Sequence, residues 1–236
     1  MNTKSGLLAD STFKSKGPRM HVIGFLNSKG GVGKSTLCSA IAVRAAQDSK
    51  RVCIVDLDPQ ESVAQWWERR GEPDNPTLFR GADRASDAVE SLQLTGWDWV
   101  FLDGPPGSLI VTDDAIRSSQ FVVIPMRASA LDLLASQDAV RLCVDASKPY
   151  FVVFNACKGG TKDKLLNDAR ATLKHERIPV GETAITQRNS FVTAMTGGKT
   201  GPERDGVASD EIDALWREIK AATLKAAKAR GTKGGA

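Results

Sequence analysis

Nowhere in its 236 residues does this chain carry an apolar run approaching about 18 residues, the length a membrane-crossing helix needs. The first twenty residues are polar and include Lys4, Lys14, Lys16 and Arg19, so they do not read as a secretory signal; a flexible leader over 1–20 is expected instead. Cysteine is scarce and scattered. Cys38, Cys53, Cys143 and Cys157 sit far apart inside apolar runs, which gives no metal-ligand spacing and reads as reduced core thiols of a cytoplasmic protein. There is no internal repeat and no linker composition that would separate one domain from another, and a hydrophobic content of 41% suffices for one sizeable core. From Lys225 to Ala236 there is no Leu, Ile, Phe or Trp, which argues against a terminal helix that inserts into lipid.

The net charge of +4 is unevenly placed. Arg217, Lys220, Lys225, Lys228, Arg230 and Lys233 are opposed near the end of the chain only by Glu218, so the rest of the chain is close to neutral. Basic residues on the alanine-rich stretch with Lys225, Lys228 and Arg230 suit a helix lying along a phosphate backbone without reading bases. The same charges would also serve solubility. Trp66 and Trp67 lie on an amphipathic stretch and are expected to pack, not to stack on bases.

What is present is an alternation of apolar strands and helices. Strands are expected at 21–27, 52–55, 77–80 (a short edge strand), 97–103, 121–125 and 150–155, and helices at 37–47, 62–70, 85–94, 131–145, 162–175 and 210–228. Apolar strands separated by helices imply an α/β fold, a mainly parallel twisted sheet covered by helices on both faces. Such sheets bind ligands beyond the carboxyl ends of their strands. One domain over 21–229 and a flexible basic tail over 230–236 are expected.

Three motifs fall at those strand ends. After the first strand comes Lys29-Gly30-Gly31-Val32-Gly33-Lys34-Ser35-Thr36, a phosphate-binding loop opening a helix. Its glycines let backbone N–H groups turn inward around phosphate oxygens. Lys34 is the residue that reaches the β/γ-phosphates, and the Ser35 hydroxyl is a magnesium ligand. After the second strand comes Asp56-Leu57-Asp58-Pro59-Gln60, with two carboxylates at i and i+2 that project toward the same site. The fourth strand ends in Asp103, the arrangement in which a carboxylate holds Mg²⁺. Gly104-Pro105-Pro106-Gly107 then turns beside the phosphates.

The loop departs from the ordinary pattern, because Ser28 stands where a glycine is usual and a second lysine, Lys29, follows it. In this it resembles the deviant Walker-A family of P-loop ATPases, which includes ParA partition ATPases, MinD division-site proteins and the nitrogenase iron protein. The segment Ile124–Asp132 and the run Thr183-Ala-Ile-Thr-Gln-Arg188-Asn-Ser-Phe resemble small plasmid partition ATPases of the ParF type. The likeness spans about Val22 to Lys220.

That resemblance implies an Mg²⁺-dependent ATPase whose Lys29 crosses a nucleotide-sandwich homodimer to the phosphates bound by the other subunit. It implies that Asp58 orients the attacking water, with Asp56 supporting the magnesium shell. By the same likeness Asn155 meets the adenine ring, which its amide suits as both donor and acceptor, although a turn asparagine would also stand at this strand end. Arg188 matches an arginine that binds DNA non-specifically; a structural salt bridge is the competing reading. Relatives of this kind position cargo on the nucleoid with a ParB-like or other adaptor protein: a plasmid or chromosome, or a protein compartment such as a carboxysome or chemoreceptor cluster. A membrane-cycling MinD role fits poorly because the tail lacks bulky apolar residues. Many relatives carry threonine where this chain has Gly104.

Overall fold

A computed structural model describes residues 20–158 and 163–233, with the side chains of 230–233 left aside. The leader at 1–19 and the last residues, 234–236, lie outside the described residues. The elements run β1 (His21–Phe25), α1 (Lys34–Gln47), β2 (Val52–Asp56), α2 (Ser62–Arg69), β3 (Thr77–Phe79), α3 (Ala85–Leu92), β4 (Trp99–Asp103), α4 (Leu109–Ser118), β5 (Phe121–Met126), α5 (Ala130–Ala135), α6 (Gln137–Asp145), β6 (Tyr150–Cys157), α7 (Lys164–His175), β7 (Val180–Thr186), α8 (Asn189–Thr196) and α9 (Gly206–Lys233). All seven strands are parallel, in the order β3-β2-β4-β1-β5-β6-β7. Register places Phe25 beside Asp103 and Asp56 beside Asp103, so three motif-bearing strands end level with one another.

Both faces of the sheet are buried, which is why its central strands read as unbroken apolar runs. Ile23, Phe25, Ile54 and Phe101 pack into a cluster with α1, α2 and α9, including Trp66 and Trp216. Their neighbours Val22, Cys53, Val55, Val100 and Leu102 face the other way, onto α3, α4, α6 and α7. The four cysteines are free and buried, and burial pushes the thiols of Cys53 and Cys143 up to about 12 and that of Cys157 to about 11.

Three elements were not expected. β7 mixes Gly181, Glu182 and Thr183 among its apolar residues and holds its place through Glu218, which accepts from the backbone N–H groups of Glu182 (2.9 Å) and Thr183 (2.8 Å). α4 and α8 are short helices of ten and eight residues. The single helix expected over 131–145 is broken into α5 and α6 at Ser136, a buried serine whose hydroxyl donates to the Asp132 carbonyl at 2.8 Å. α9 runs past its expected end at 228 to Lys233, taking in the start of the segment expected as a tail.

α9 is fastened to the end of α1. Asp48 accepts from Trp216 Nε1 at 2.9 Å and pairs with Arg44 (2.6 Å) and Lys220 (3.2 Å), and those bonds, Trp216 first, hold its carboxyl well below the usual range. Trp216 itself is fully buried and sits edge-on to Trp99 at 4.8 Å. Trp216→Ala is expected to lower stability by about 3–5 kcal/mol, measured as a shift of the urea midpoint.

Candidate functional site

The turn from β1 into α1 is built by left-handed backbone. Gly31 has φ +71° and Gly33 φ +93°, a region where only glycine is unstrained. A Cβ at Gly33 would also lie 2.0 Å from Asn155 Nδ2, so a side chain there would displace that amide. Gly33 opens α1, so the first N–H groups of that helix face the loop interior beside Ser35 and Thr36.

Lys34 is buried, and its Nζ donates to the Lys29 carbonyl at 3.0 Å. Burial pulls its ammonium below the usual lysine range, while Asp103 and Asp58 oppose that fall. Asp103 is fully buried, and neither carboxylate oxygen has a hydrogen-bond partner among the described residues. Burial therefore raises its pKa well above the carboxylate range; Asp56 and Asp58 add to the rise, and Ser35 and Lys34 oppose it. An unpaired carboxylate deep in a fold is destabilising unless a cation or proton joins it. With the Ser35 hydroxyl as neighbour, Asp103 is a hard-oxygen donor suited to Mg²⁺.

Asp56, expected to support the magnesium shell, has both carboxylate oxygens on backbone N–H groups. Its Oδ2 accepts from the backbone N–H groups of Val63 (3.0 Å) and Ala64 (2.9 Å), and its Oδ1 from that of Asp58 (3.1 Å). It thus caps α2 and ties β2 to that helix, and burial raises its pKa against those bonds. Asp58 is half-buried, accepts from the Gln60 N–H at 2.9 Å, and stands between two clefts of about 580 and 690 Å³.

The first cleft is lined by Gly30, Gly33, Lys34, Asn155, Arg188 and Phe191 among others. Asn155, expected at the adenine ring, stands against the loop, where its Nδ2 donates to the Val32 carbonyl at 2.8 Å and its amide braces the loop. Arg188 faces two carboxylates, Asp205 at 3.5 Å and Glu211 at 3.8 Å, which matches its salt-bridge reading. Arg127 also lines this cleft and donates to the Gly31 carbonyl at 3.0 Å. Lys29 pairs with the buried Asp132 at 2.5 Å. Arg127 and Asp132 lie inside the segment Ile124–Asp132 that carries some of the resemblance, yet no motif assigns either a role.

Lys225 and Lys228 are exposed, whereas the side chain of Arg230 lies outside the described residues. They are far from the loop. Glu211 bonds Thr186 at the carboxyl end of β7, Glu218 bonds residues near its start, and Lys220 reaches Asp48 at the end of α1. α9 therefore leads away from the cleft, and at ~1.5 Å per residue Lys228 stands about 25 Å along it from Glu211.

Glycine loop, buried lysine, hydroxyl and carboxylate at level strand ends define a nucleotide-binding domain of the phosphate-loop class. The chain belongs to the CobQ/CobB/MinD/ParA nucleotide-binding domain family, whose model matches residues 23–200, and it has the ATPase fold of that family. It is similar to the Maintenance of carboxysome distribution protein A of Halothiobacillus neapolitanus, 28% identical over 82% of this chain and 93% of that protein. It is similar also to Protein ParA of Rhizobium radiobacter, 25% identical over 73% of this chain and 81% of that one. Among solved structures it resembles the septum site-determining protein MinD complexed with Mg-ADP from Pyrococcus horikoshii OT3, with a TM-score of 0.68 at 15% identity over 85% of this chain and 96% of that one. No helix among the described residues is long and apolar enough to cross a membrane.

Proposed function

We propose that this chain is an ATP hydrolase that positions cargo: ATP and Mg²⁺ join two copies into a dimer that grips DNA, and hydrolysis stimulated by an adaptor on the cargo releases it. The observation that carries this is the loop itself, with Lys34 buried near Asp103 and a second lysine, Lys29, ahead of it in the loop. Loop N–H groups and Lys34 would hold the triphosphate, and Ser35 with Asp103 would hold Mg²⁺. When bound, that ion neutralises charge on the phosphates. Asp58 accepts a hydrogen bond from the attacking water and aims it, and Lys29 of each copy offers its charge to the nucleotide of the other. Exposed Leu109 and Ile110 on α4, with Leu131 and Leu134 on α5, follow β4 and β5 at this end of the sheet and support its being covered by a second copy.

DNA as the track is supported by the exposed Lys225 and Lys228, with Arg230 next along the helix. Arg188 is a weaker candidate for that role, because Asp205 and Glu211 already neutralise it. A plasmid or chromosome as cargo draws support from the likeness to ParA. A protein compartment as cargo draws support from the likeness to the carboxysome distribution protein. The experiment that tests what both cargoes share is retention of DNA with ATP compared with ADP, where ATP alone should give retention. Replacing Lys225, Lys228 and Arg230 together by Ala is expected to weaken DNA binding and flatten the log–log salt dependence by up to about 0.9 per lost phosphate contact. An unchanged slope would move the DNA surface away from α9.

A further inference from the structure

Lys29 does not hang free in solvent. Its Nζ meets Asp132 Oδ1 at 2.5 Å, and the Asp132 side chain is only 7% exposed. The other carboxylate oxygen accepts from the Ser129 hydroxyl, while Oδ1 has no hydrogen-bond partner among the described residues apart from this ion contact. The segment carrying Asp132 is stitched to the loop at successive residues. The Asn27 amide donates to Ser136 Oγ (2.8 Å) and to the Pro125 carbonyl (2.7 Å), and Ser136 Oγ donates to the Asp132 carbonyl. Ser28 Oγ donates to the Ala135 carbonyl at 3.0 Å, a bond that a glycine at this position could not make. The Lys29 N–H in turn donates to Asn27 Oδ1 at 3.0 Å. The residues that set this loop apart from the ordinary pattern are thus those that dock α5.

We propose that Asp132 is a positioning residue for Lys29: it holds the ammonium within its own chain, and nucleotide-driven pairing of two chains has to break that hold. This rests on the crossing role given to Lys29 above. The ammonium serves one close anion at a time, the carboxylate of its own chain or the phosphates of a partner. A buried carboxylate stripped of its cation is strongly destabilised, so Lys29 leaves only when a more strongly binding anion is offered. Asp132 therefore sets the concentration at which ATP joins two copies, and keeps the nucleotide-free chain single.

The test is sedimentation of the full-length protein with Mg²⁺ and ATPγS, comparing wild type, Asp132→Asn, Lys29→Ala and the double variant. Asparagine keeps the shape of Asp132 and still accepts from Ser129, but gives up the charge. Asp132→Asn is expected to dimerise at about 10-fold lower concentration than wild type. Lys29→Ala is expected to dimerise poorly, and adding Asp132→Asn to it should restore nothing, because the latch acts only through Lys29. A purely structural role for Asp132 would show the same effect in both backgrounds and would overturn the proposal. So would an Asp132→Asn dimer no tighter than wild type while Lys29→Ala is impaired. If Lys29→Ala dimerises normally, the crossing lysine itself fails and the latch with it. Asp132→Ser reads the same quantity should the asparagine variant not fold.

Discussion

Lys34→Ala is expected to weaken ATP binding by about 10- to 100-fold. A hydrogen bond to a charged group contributes about 1.5–3 kcal/mol, and each 1.4 kcal/mol is tenfold in affinity, so losing the buried ammonium of the loop removes about one to two decades. The same substitution is expected not to lower the melting temperature of the nucleotide-free protein. Burial depresses the pKa of Lys34, so at pH below the usual lysine range the folded chain binds this proton less tightly than the unfolded chain, a cost in stability that the truncation removes. Calorimetric titration with MgATP and a melt without ligand give both readings. Unchanged affinity would reject the loop as the phosphate site.

Asp58→Ala is expected to leave ATP-dependent dimers intact and to slow phosphate release by about 10²- to 10⁴-fold, the usual contribution of a group that positions or deprotonates a nucleophile. Asp58 is suited to that role because, unlike Asp56, its carboxylate is not occupied in capping a helix. It accepts one backbone bond, from Gln60, and stands at the border of two clefts, where solvent reaches it. Single-turnover release of phosphate from preloaded protein is the measurement, and turnover at the wild-type rate would remove Asp58 from the reaction.

The parallel sheet was legible because a strand buried on both faces is a continuous apolar run, as in Val52–Asp56 and Phe121–Met126. β7 lacked that signal: its polar residues are held by Glu218 and Glu211 of α9, through contacts more than twenty residues away in sequence. The split between α5 and α6 was illegible for a similar reason, since Ser136 is held by Asn27, 109 residues earlier. At the site, glycine spacing and Lys34 followed from local chemistry that the backbone satisfies, with φ +71° at Gly31 and +93° at Gly33. The posts of Asp56, Asn155 and Arg188 did not follow, because a carboxylate, an amide or a guanidinium at a strand end serves a ligand or the backbone equally well. Only the partners decide, and here they are Val63 and Ala64, Val32, and Asp205 with Glu211. Asp132 was hidden in the same way. Its pairing with Lys29 joins residues 103 apart in sequence through a fold, not through a motif.

Closure of two chains around nucleotide through Lys29 is the claim on which the proposed cycle stands. Its most direct test is the light-scattering mass of the 25.3 kDa chain with Mg²⁺ and either ATPγS or ADP. The expected result is a doubled mass with ATPγS alone, lost in Lys29→Ala. A mass that ignores the analogue, or a Lys29→Ala protein that doubles as readily as wild type, would contradict it.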